Sequence, residues 1–192
     1  MGARIIAITG GIGAGKSVVS RMLTAMGHDV YDCDSRAKAL MDNSGEIKRR
    51  IAEEIAAEAV DGDKILRPVL AEIVFNNPDK LLILNSIVHQ YVREDIAREA
   101  AGSDAPVMFI ETAILYESGL DRMVSQVWDV TAPEPVRIER VVARNGCTAD
   151  HARARIESQR IVVENPHHAV HTIVNDNITP LLPQVLHLLG GI

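Results

Sequence analysis

Residues 10–17 read Gly-Gly-Ile-Gly-Ala-Gly-Lys-Ser, a complete Walker A phosphate loop, and they directly follow the apolar run at 5–9. A strand that enters a glycine-rich turn and then a helix surrounds one concavity with backbone N–H groups, and the helix N-terminus adds partial positive charge. Lys16 can reach the β- and γ-phosphates of a nucleotide, and the Ser17 hydroxyl can ligate Mg²⁺. The pattern predicts a nucleoside triphosphate site on an α/β fold. The alternative is a glycine turn with an incidental lysine.

Three glycines of the loop, Gly10, Gly13 and Gly15, are expected where a Cβ would block the phosphates or forbid the backbone angles. The residues expected to bind the nucleotide are Gly11, Ile12, Gly13, Ala14, Gly15, Lys16, Ser17 and Val18.

The composition is that of an ordinary globular protein of 192 residues, with 47% hydrophobic and 24% charged residues. The net charge of −6 and the lack of a Lys/Arg cluster give nucleic-acid binding no electrostatic support. Cys33 and Cys147 are too few for a disulfide framework or a zinc site. No apolar run reaches the length of a membrane span, and the first residues leave no room for a signal peptide. We therefore expect a cytoplasmic protein; a homo-oligomer is left open.

Short apolar strands alternate with helical segments along the chain. Strands are predicted at 4–9, 28–31, 107–110, 126–131 and 172–174, and helices at 16–26, 35–41, 46–59, 66–75, 78–100, 133–144, 148–159 and 180–189. This alternation predicts one domain over 1–192 with a parallel sheet covered by helices on both faces. The helical block at about 62–100 interrupts it. Ligands of such folds bind at the carboxyl ends of the strands.

Two aspartates, Asp32 and Asp34, follow the second predicted strand. Phosphoryl transfer needs a base that orients the acceptor hydroxyl, and either carboxylate could serve. The alternative is that they are turn or cap residues. Glu111 ends another predicted strand, where it could hold Mg²⁺ or its water or be a solvated carboxylate.

A predicted helix carries Arg137, Arg140 and Arg144 just before a glycine-containing turn. Arginines beside a mobile turn can close over a triphosphate and neutralise the transferring phosphoryl group. Arg140 and Arg144, one helical turn apart, are the stronger candidates. A salt-bridged solvent face is the interpretation favoured for Arg137 and Arg153. His89, among apolar helix neighbours, would by itself be interpreted as a satisfied buried histidine.

With these residues in place, the chain resembles the dephospho-coenzyme A kinase family nearly from end to end. The resemblance rests on Thr-Gly-Gly-Ile-Gly-Ala-Gly-Lys-Ser at 9–17, Val-Tyr-Asp-Cys-Asp at 30–34, the opening of a substrate-binding helical segment at 66–78, Ile-Leu-Tyr-Glu at 114–117 and Arg-Ile-Glu-Ser-Gln at 155–159. His89 aligns with a histidine of that segment. The chain departs from the family pattern at Gln90, at Glu111-Thr112-Ala113 and over 171–176, where adenine contacts cannot be carried over.

The resemblance implies a P-loop kinase fold with a helical substrate-binding insertion at about 62–100 and a lid at about 144–160. It also implies transfer of the ATP γ-phosphoryl group to the ribose 3′-hydroxyl of dephospho-coenzyme A. Lys16, Asp34, Arg140 and Arg144 would be catalytic, with Asp34 orienting the hydroxyl. Arg144 and Arg155 would contact ATP, and Ser17 and Asp32 would hold Mg²⁺. The acceptor would meet Asp32, Asp34, Arg67 and His89.

Three other functions compete with this one. One is another small-molecule kinase, acting on a nucleoside monophosphate or a sugar. A regulatory GTP switch would need an Asn-Lys-x-Asp-type motif, which does not occur in the sequence. A non-catalytic nucleotide-binding module would have no use for Asp34 or the lid arginines.

Overall fold

The structure is a computed structural model and describes residues 2–159 and 166–192. In chain order, the strands of this part are β1 (Arg4–Thr9), β2 (Val30–Asp32), β3 (Val60–Asp61), β4 (Lys64–Ile65), β5 (Val107–Glu111), β6 (Gln126–Thr131) and β7 (Val170–Val174). The helices are α1 (Lys16–Ala25), α2 (Cys33–Asn43), α3 (Gly45–Glu54), α4 (Arg67–Phe75), α5 (Pro78–Gly102), α6 (Glu134–Asn145), α7 (Ala149–Ser158) and α8 (Leu181–Leu189). They form two compact units. The first contains the described residues up to Tyr31 and from Ser103 onward, and the second is Asp32–Gly102.

The first unit is built on a five-stranded sheet in the order β2-β5-β1-β6-β7. The ladders on both sides of β1 are parallel, with Ile8 opposite Glu111 in β5 and Trp128 in β6. β6 pairs with β7 in the same sense. The predicted α/β fold with a parallel sheet is confirmed.

Both faces of this sheet are buried, as the continuous apolar strands indicate. On one face, α1 and α8 contribute Val19, Leu23 and Val185 to a shared core. The sheet residues of that core alternate along their strands: Ile6, Ile8, Val107, Phe109, Trp128, Val130 and Ile173. The residues between them, which point to the opposite face, are also buried: Ala7, Met108, Ile110 and Val127.

The second unit consists of α2 to α5 and the antiparallel pair β3–β4. Its own apolar core is formed by Ile47, Ile51, Ile55, Ala56, Ala59, Leu70, Val74 and Ile87. The side chain of Lys48 is buried beside this core, and its Nζ donates to the Asp63 carboxylate at 2.7 Å. The predicted helical insertion at about 62–100 lies inside this unit, which also includes α2 and α3.

Several predicted boundaries differ from those of the structure; β2 and β7 begin at Val30 and Val170 rather than at 28 and 172. Helix α2 begins two residues early because the Asp32 side chain caps it. The predicted helix 46–59 ends at Glu54, and a single 3₁₀ turn at Ala57–Ala59 leads into the β3–β4 hairpin. Helix α8 starts at Leu181, so Pro180 is its N-cap rather than its first residue; just before it, the Asp176 carboxylate accepts hydrogen bonds from the backbone N–H groups of Ile178 and Thr179.

Among the described helices, none combines the length and apolar character needed to cross a membrane.

Candidate active site

The phosphate loop connects the central strand β1 to the N-terminus of α1. Gly10, Gly13 and Gly15 have φ values of 142°, 78° and 99°, as expected from the motif. A Cβ on Gly13 would also lie 2.7 Å from the carbonyl oxygen of Arg137. Both the angle and the space therefore require glycine there.

Lys16 and Ser17 form the first turn of α1, where the motif predicts them. The Lys16 Nζ donates to the Gly10 carbonyl oxygen at 2.7 Å, so the side chain folds back along the loop. Ser17 is exposed. The ammonium group and the hydroxyl thus flank the N-terminus of a helix that already favours anions.

Arg140 contacts the phosphate loop through backbone carbonyl groups. Its Nη1 donates to the carbonyl oxygens of Gly13 and Ala14, both at 3.2 Å. Its Nη2 donates to the carbonyl oxygen and the Oδ1 of Asn175, at 3.0 Å and 3.1 Å. Arg140 therefore links the loop to the segment after β7.

Arg137 also contacts the loop, so its predicted position on a solvent face is wrong. Its Nε donates to the Ile12 carbonyl oxygen at 2.9 Å. Burial lowers the pKa of the Arg137 guanidinium, and the charges of Glu134 and Asp129 act in the opposite direction. Arg153, in contrast, is exposed and pairs with Asp150 at 3.1 Å, as predicted.

Arg144 and Arg155, the other predicted lid arginines, are exposed. The Arg144 Nε donates to the Oδ1 of the neighbouring Asn145 at 3.2 Å. Helix α7, which carries Arg155, is capped by the Thr148 hydroxyl. Residue 160, at the end of the predicted lid, lies outside the described residues.

Asp129 places a carboxylate near the phosphate loop. It lies in β6 opposite Thr9 of β1. Burial raises the pKa of Asp129, while the positive charges of Lys16 and Arg137 act to lower it. Glu111, the carboxylate predicted at a strand end, closes β5 opposite Ile8.

Two cavities of the first unit adjoin the loop. One, of about 350 Å³, extends to Glu134, Arg137 and Ile156. The other, of about 300 Å³, extends to Leu115, Tyr116 and Val170. Both are lined by Gly11, Asp129 and Gln159.

Gln159 forms a further contact with the loop. Its Oε1 accepts a hydrogen bond of 2.9 Å from the Ile12 backbone N–H. Because Arg137 binds the carbonyl oxygen of the same residue, both polar backbone groups of Ile12 are engaged by side chains from outside the loop.

Within the second unit, Asp32 is the N-cap of α2. Its Oδ1 accepts from the N–H groups of Asp34 and Ser35, and its Oδ2 accepts from the Ser35 hydroxyl at 2.6 Å. Asp34 lies in the first turn of α2 and is exposed. The cap interpretation is therefore correct for Asp32, and Asp34 is on a helix rather than on the strand.

The other two predicted acceptor-binding residues of this unit are on α4 and α5. Arg67 is exposed and pairs with Asp42 at 2.7 Å. His89 is half-buried, and burial lowers the pKa of its imidazole with a smaller contribution from Arg93.

Sequence reasoning gave no role to four residues that adjoin the loop: Asp129, Arg137, Gln159 and Asn175. Two of them left a signal in the sequence. Asp129 is a charged residue inside an otherwise apolar strand, and Arg137 precedes Arg140 by three residues on one helix face. For Gln159 and Asn175 only the tertiary structure shows the contact.

Comparison with known proteins agrees with this architecture. The sequence model of the dephospho-CoA kinase family matches residues 4–180. A dephospho-CoA kinase from Porphyromonas gingivalis is 38% identical over 185 residues, covering 96% of this chain and 92% of that protein. The crystal structure of TT1252 from Thermus thermophilus covers 100% of this chain and 96% of its own, with a TM-score of 0.77 and 33% identity. A dephospho-CoA kinase from Campylobacter jejuni shares the fold, with a TM-score of 0.68, 24% identity, and coverage of 97% and 95%.

Proposed function

Since the chain belongs to the dephospho-CoA kinase family, we propose that it transfers the γ-phosphoryl group of ATP to the ribose 3′-hydroxyl of dephospho-coenzyme A. The products are coenzyme A and ADP, so the reaction is the final step of coenzyme A biosynthesis. The observation that carries this proposal is the complete phosphate loop at 10–17, in a chain whose family match spans residues 4–180.

The phosphate loop binds the nucleotide in this proposal. The N–H groups of residues 11–18 surround the phosphates, and Lys16 exchanges the Gly10 carbonyl oxygen for phosphate oxygens. This exchange is favourable because an ammonium group binds a charged phosphate more strongly than a neutral carbonyl. Arg137 and Arg140 support the reaction by fixing the loop carbonyls of Ile12, Gly13 and Ala14.

Mg²⁺ fits the donors available. Magnesium takes hard oxygen ligands, and in kinases it is bound by one or two protein groups together with substrate phosphates. The exposed hydroxyl of Ser17 is such a donor, and the resemblance to the family assigns a second oxygen donor to Asp32. When bound, the ion neutralises charge on the β- and γ-phosphates.

The second unit supplies the acceptor-binding residues of this proposal. Asp34 accepts the proton of the 3′-hydroxyl, and its exposed position in the first turn of α2 leaves the carboxylate accessible. Arg67 and His89 bind the acceptor. Because its pKa is lowered, His89 is neutral at pH 7 and can both donate and accept hydrogen bonds.

The exposed arginines of the proposed lid act on the triphosphate. Arg144 and Arg155 are not held by the phosphate loop and can move to neutralise charge on the transferring group. Arg140 acts on the same charge while it holds the loop. Closure of the lid excludes the water that would otherwise hydrolyse ATP.

The decisive experiment incubates the purified protein with Mg-ATP and dephospho-coenzyme A and detects coenzyme A by its mass. Parallel reactions contain nucleoside monophosphates, a sugar or no acceptor. The proposal requires phosphate transfer to dephospho-coenzyme A alone, and loss of this transfer in Lys16→Ala but not in the exposed control Lys64→Ala. Transfer to a nucleoside monophosphate or a sugar, or ATP hydrolysis without any acceptor, would contradict it.

We further propose that the reaction takes place in the cytoplasm. The sequence contains two cysteines, Cys33 and Cys147, too few for a disulfide framework, and disulfide-poor composition is typical of proteins in a reducing compartment.

A further inference from the structure

The backbone of Ile12 is held from two sides. Its N–H donates to the Gln159 Oε1 at 2.9 Å, and its carbonyl oxygen accepts from the Arg137 Nε at 2.9 Å. The two partner side chains differ in the hydrogen bonds that they can form. The guanidinium of Arg137 can only donate, whereas the carboxamide of Gln159 carries an acceptor and two donors.

The backbone of Gln159 is held in place at the end of α7, and its side chain extends to the loop. Gln159 is the C-cap of α7, and its backbone N–H donates to the Glu157 carbonyl oxygen. The buried side chains of Ala152 and Ile156 anchor the same helix. Gln159 itself is exposed, so its side chain can change partners while α7 stays in place.

The position of Gln159 coincides with the space that phosphates would need. It lines both cavities that adjoin the loop, together with Gly11 and Asp129. A phosphate that binds in the loop therefore competes with the carboxamide oxygen for the Ile12 N–H. A charged phosphate oxygen is the stronger acceptor and displaces a neutral one.

We propose that Gln159 recognises the terminal phosphate of ATP. The terminal phosphate takes the Ile12 N–H, and the displaced carboxamide turns its NH₂ group toward that phosphate. Lys16 reaches the β- and γ-phosphates, and its Nζ lies 2.7 Å from the Gly10 carbonyl oxygen. Ile12, two residues after Gly10, therefore lies at the part of the loop that faces the outer phosphates. The exchange favours ATP over ADP and couples α7 to the presence of the transferable group. This inference rests on the proposed kinase function.

Three substitutions separate this role from simple support of the loop. Gln159→Ala removes both the acceptor and the donors. Gln159→Glu keeps an acceptor for the Ile12 N–H but replaces the donors with a negative charge. Ser158→Ala is the matched control, because the Ser158 hydroxyl donates to the Arg155 carbonyl oxygen within α7.

The experiment measures Kd for ATP and for ADP by titration calorimetry and kcat and KM for transfer, with thermal unfolding to check that each variant is folded. We expect both Gln159 variants to lower the preference for ATP over ADP about tenfold, the effect of one hydrogen bond to a charged group. Ser158→Ala should keep the preference of the wild type.

If Gln159→Ala lost affinity for ATP and for ADP equally, and Gln159→Glu regained both affinities, the proposal would be overturned. Gln159 would then only support the backbone of Ile12. An unchanged preference in both variants would overturn the proposal as well. Failure of the wild type to phosphorylate dephospho-coenzyme A would instead count against the kinase function, which the binding ratio does not measure.

Discussion

The carboxamide of Asn175 donates a hydrogen bond of 2.8 Å to the carbonyl oxygen of Ala14, inside the phosphate loop. Asn175 is buried just after β7, with 7% exposure, and Ala14 is 1% exposed. Arg140 binds both residues. The end of the last strand thus fixes the turn that is expected to bind the phosphates.

Asn175→Ala should lower both stability and nucleotide affinity. The Ala14 carbonyl oxygen keeps the Arg140 guanidinium as a donor but loses the Asn175 amide, and Arg140 loses the Asn175 Oδ1 as an acceptor. Loss of these two hydrogen bonds, one of them to a charged group, costs about 1–3 kcal/mol of unfolding free energy. The looser loop should also raise the Kd for ATP. Denaturant unfolding and titration calorimetry measure the two effects.

The matched control for this variant is Gln184→Ala. Gln184 accepts from the Val174 N–H and donates to the Val174 carbonyl oxygen, both at 2.9 Å, without contacting the loop. It should lower stability and leave the Kd for ATP unchanged. If Asn175→Ala behaves in the same way, the Asn175–Ala14 bond serves folding alone.

Arg140→Ala and Arg144→Ala should have different effects, although the two arginines lie one helical turn apart. Arg140 donates to five acceptor oxygens in the loop and after β7, so its loss should cost about 1–3 kcal/mol of stability and weaken ATP binding. Arg144 is exposed, so its loss should cost less than about 0.5 kcal/mol of stability but lower kcat at least about tenfold. Thermal unfolding with steady-state kinetics checks both. A stable Arg140→Ala protein with normal ATP affinity would be contrary to this expectation.

Asp34→Asn should lower kcat about 100-fold or more, as expected when a general base is lost, with little change in the Kd for ATP. The matched control is Asp79→Asn, since Asp79 is an exposed aspartate in the first turn of α5, as Asp34 is in that of α2. It removes the same charge from a helix start and should keep normal turnover. Single-turnover kinetics and calorimetry give the two quantities. Parallel loss of kcat and ATP affinity would identify Asp34 as a binding or folding residue.

Asp129→Asn should change how stability depends on pH. Burial raises the pKa of Asp129 above its ordinary value of 3.8, so folding favours the protonated form. Ionisation of the buried carboxyl therefore lowers the free energy of unfolding. This loss grows as the pH rises from about 3.8 to the raised pKa of Asp129, and it stays constant at higher pH. The variant should therefore gain stability relative to the wild type over this range. Denaturant unfolding from pH 3.5 to 7 measures the difference, and a flat or falling difference would be inconsistent with it.

Much of the fold could be predicted because its signals are local. The apolar runs at β1, β5 and β6 are short, continuous and bounded by turns, which is typical of buried parallel strands. The helix boundaries that were predicted wrongly depend on a side-chain cap or on strand pairing, and hydrophobic periodicity shows neither of these. Asp32 extends α2 at its start, and the β3–β4 hairpin shortens α3 at its end.

The sequence by itself determined the phosphate loop, because its chemistry lies in eight consecutive residues whose backbone angles are set by glycines at fixed positions. It also determined the family, through motifs at several points along the chain. Only the tertiary structure decided what holds the loop. Arg137, Arg140, Gln159 and Asn175 lie more than 120 residues after the loop carbonyl and N–H groups that they bind. Such contacts depend on parallel strands bringing distant segments to one edge of the sheet, and no local pattern records which side chains meet there.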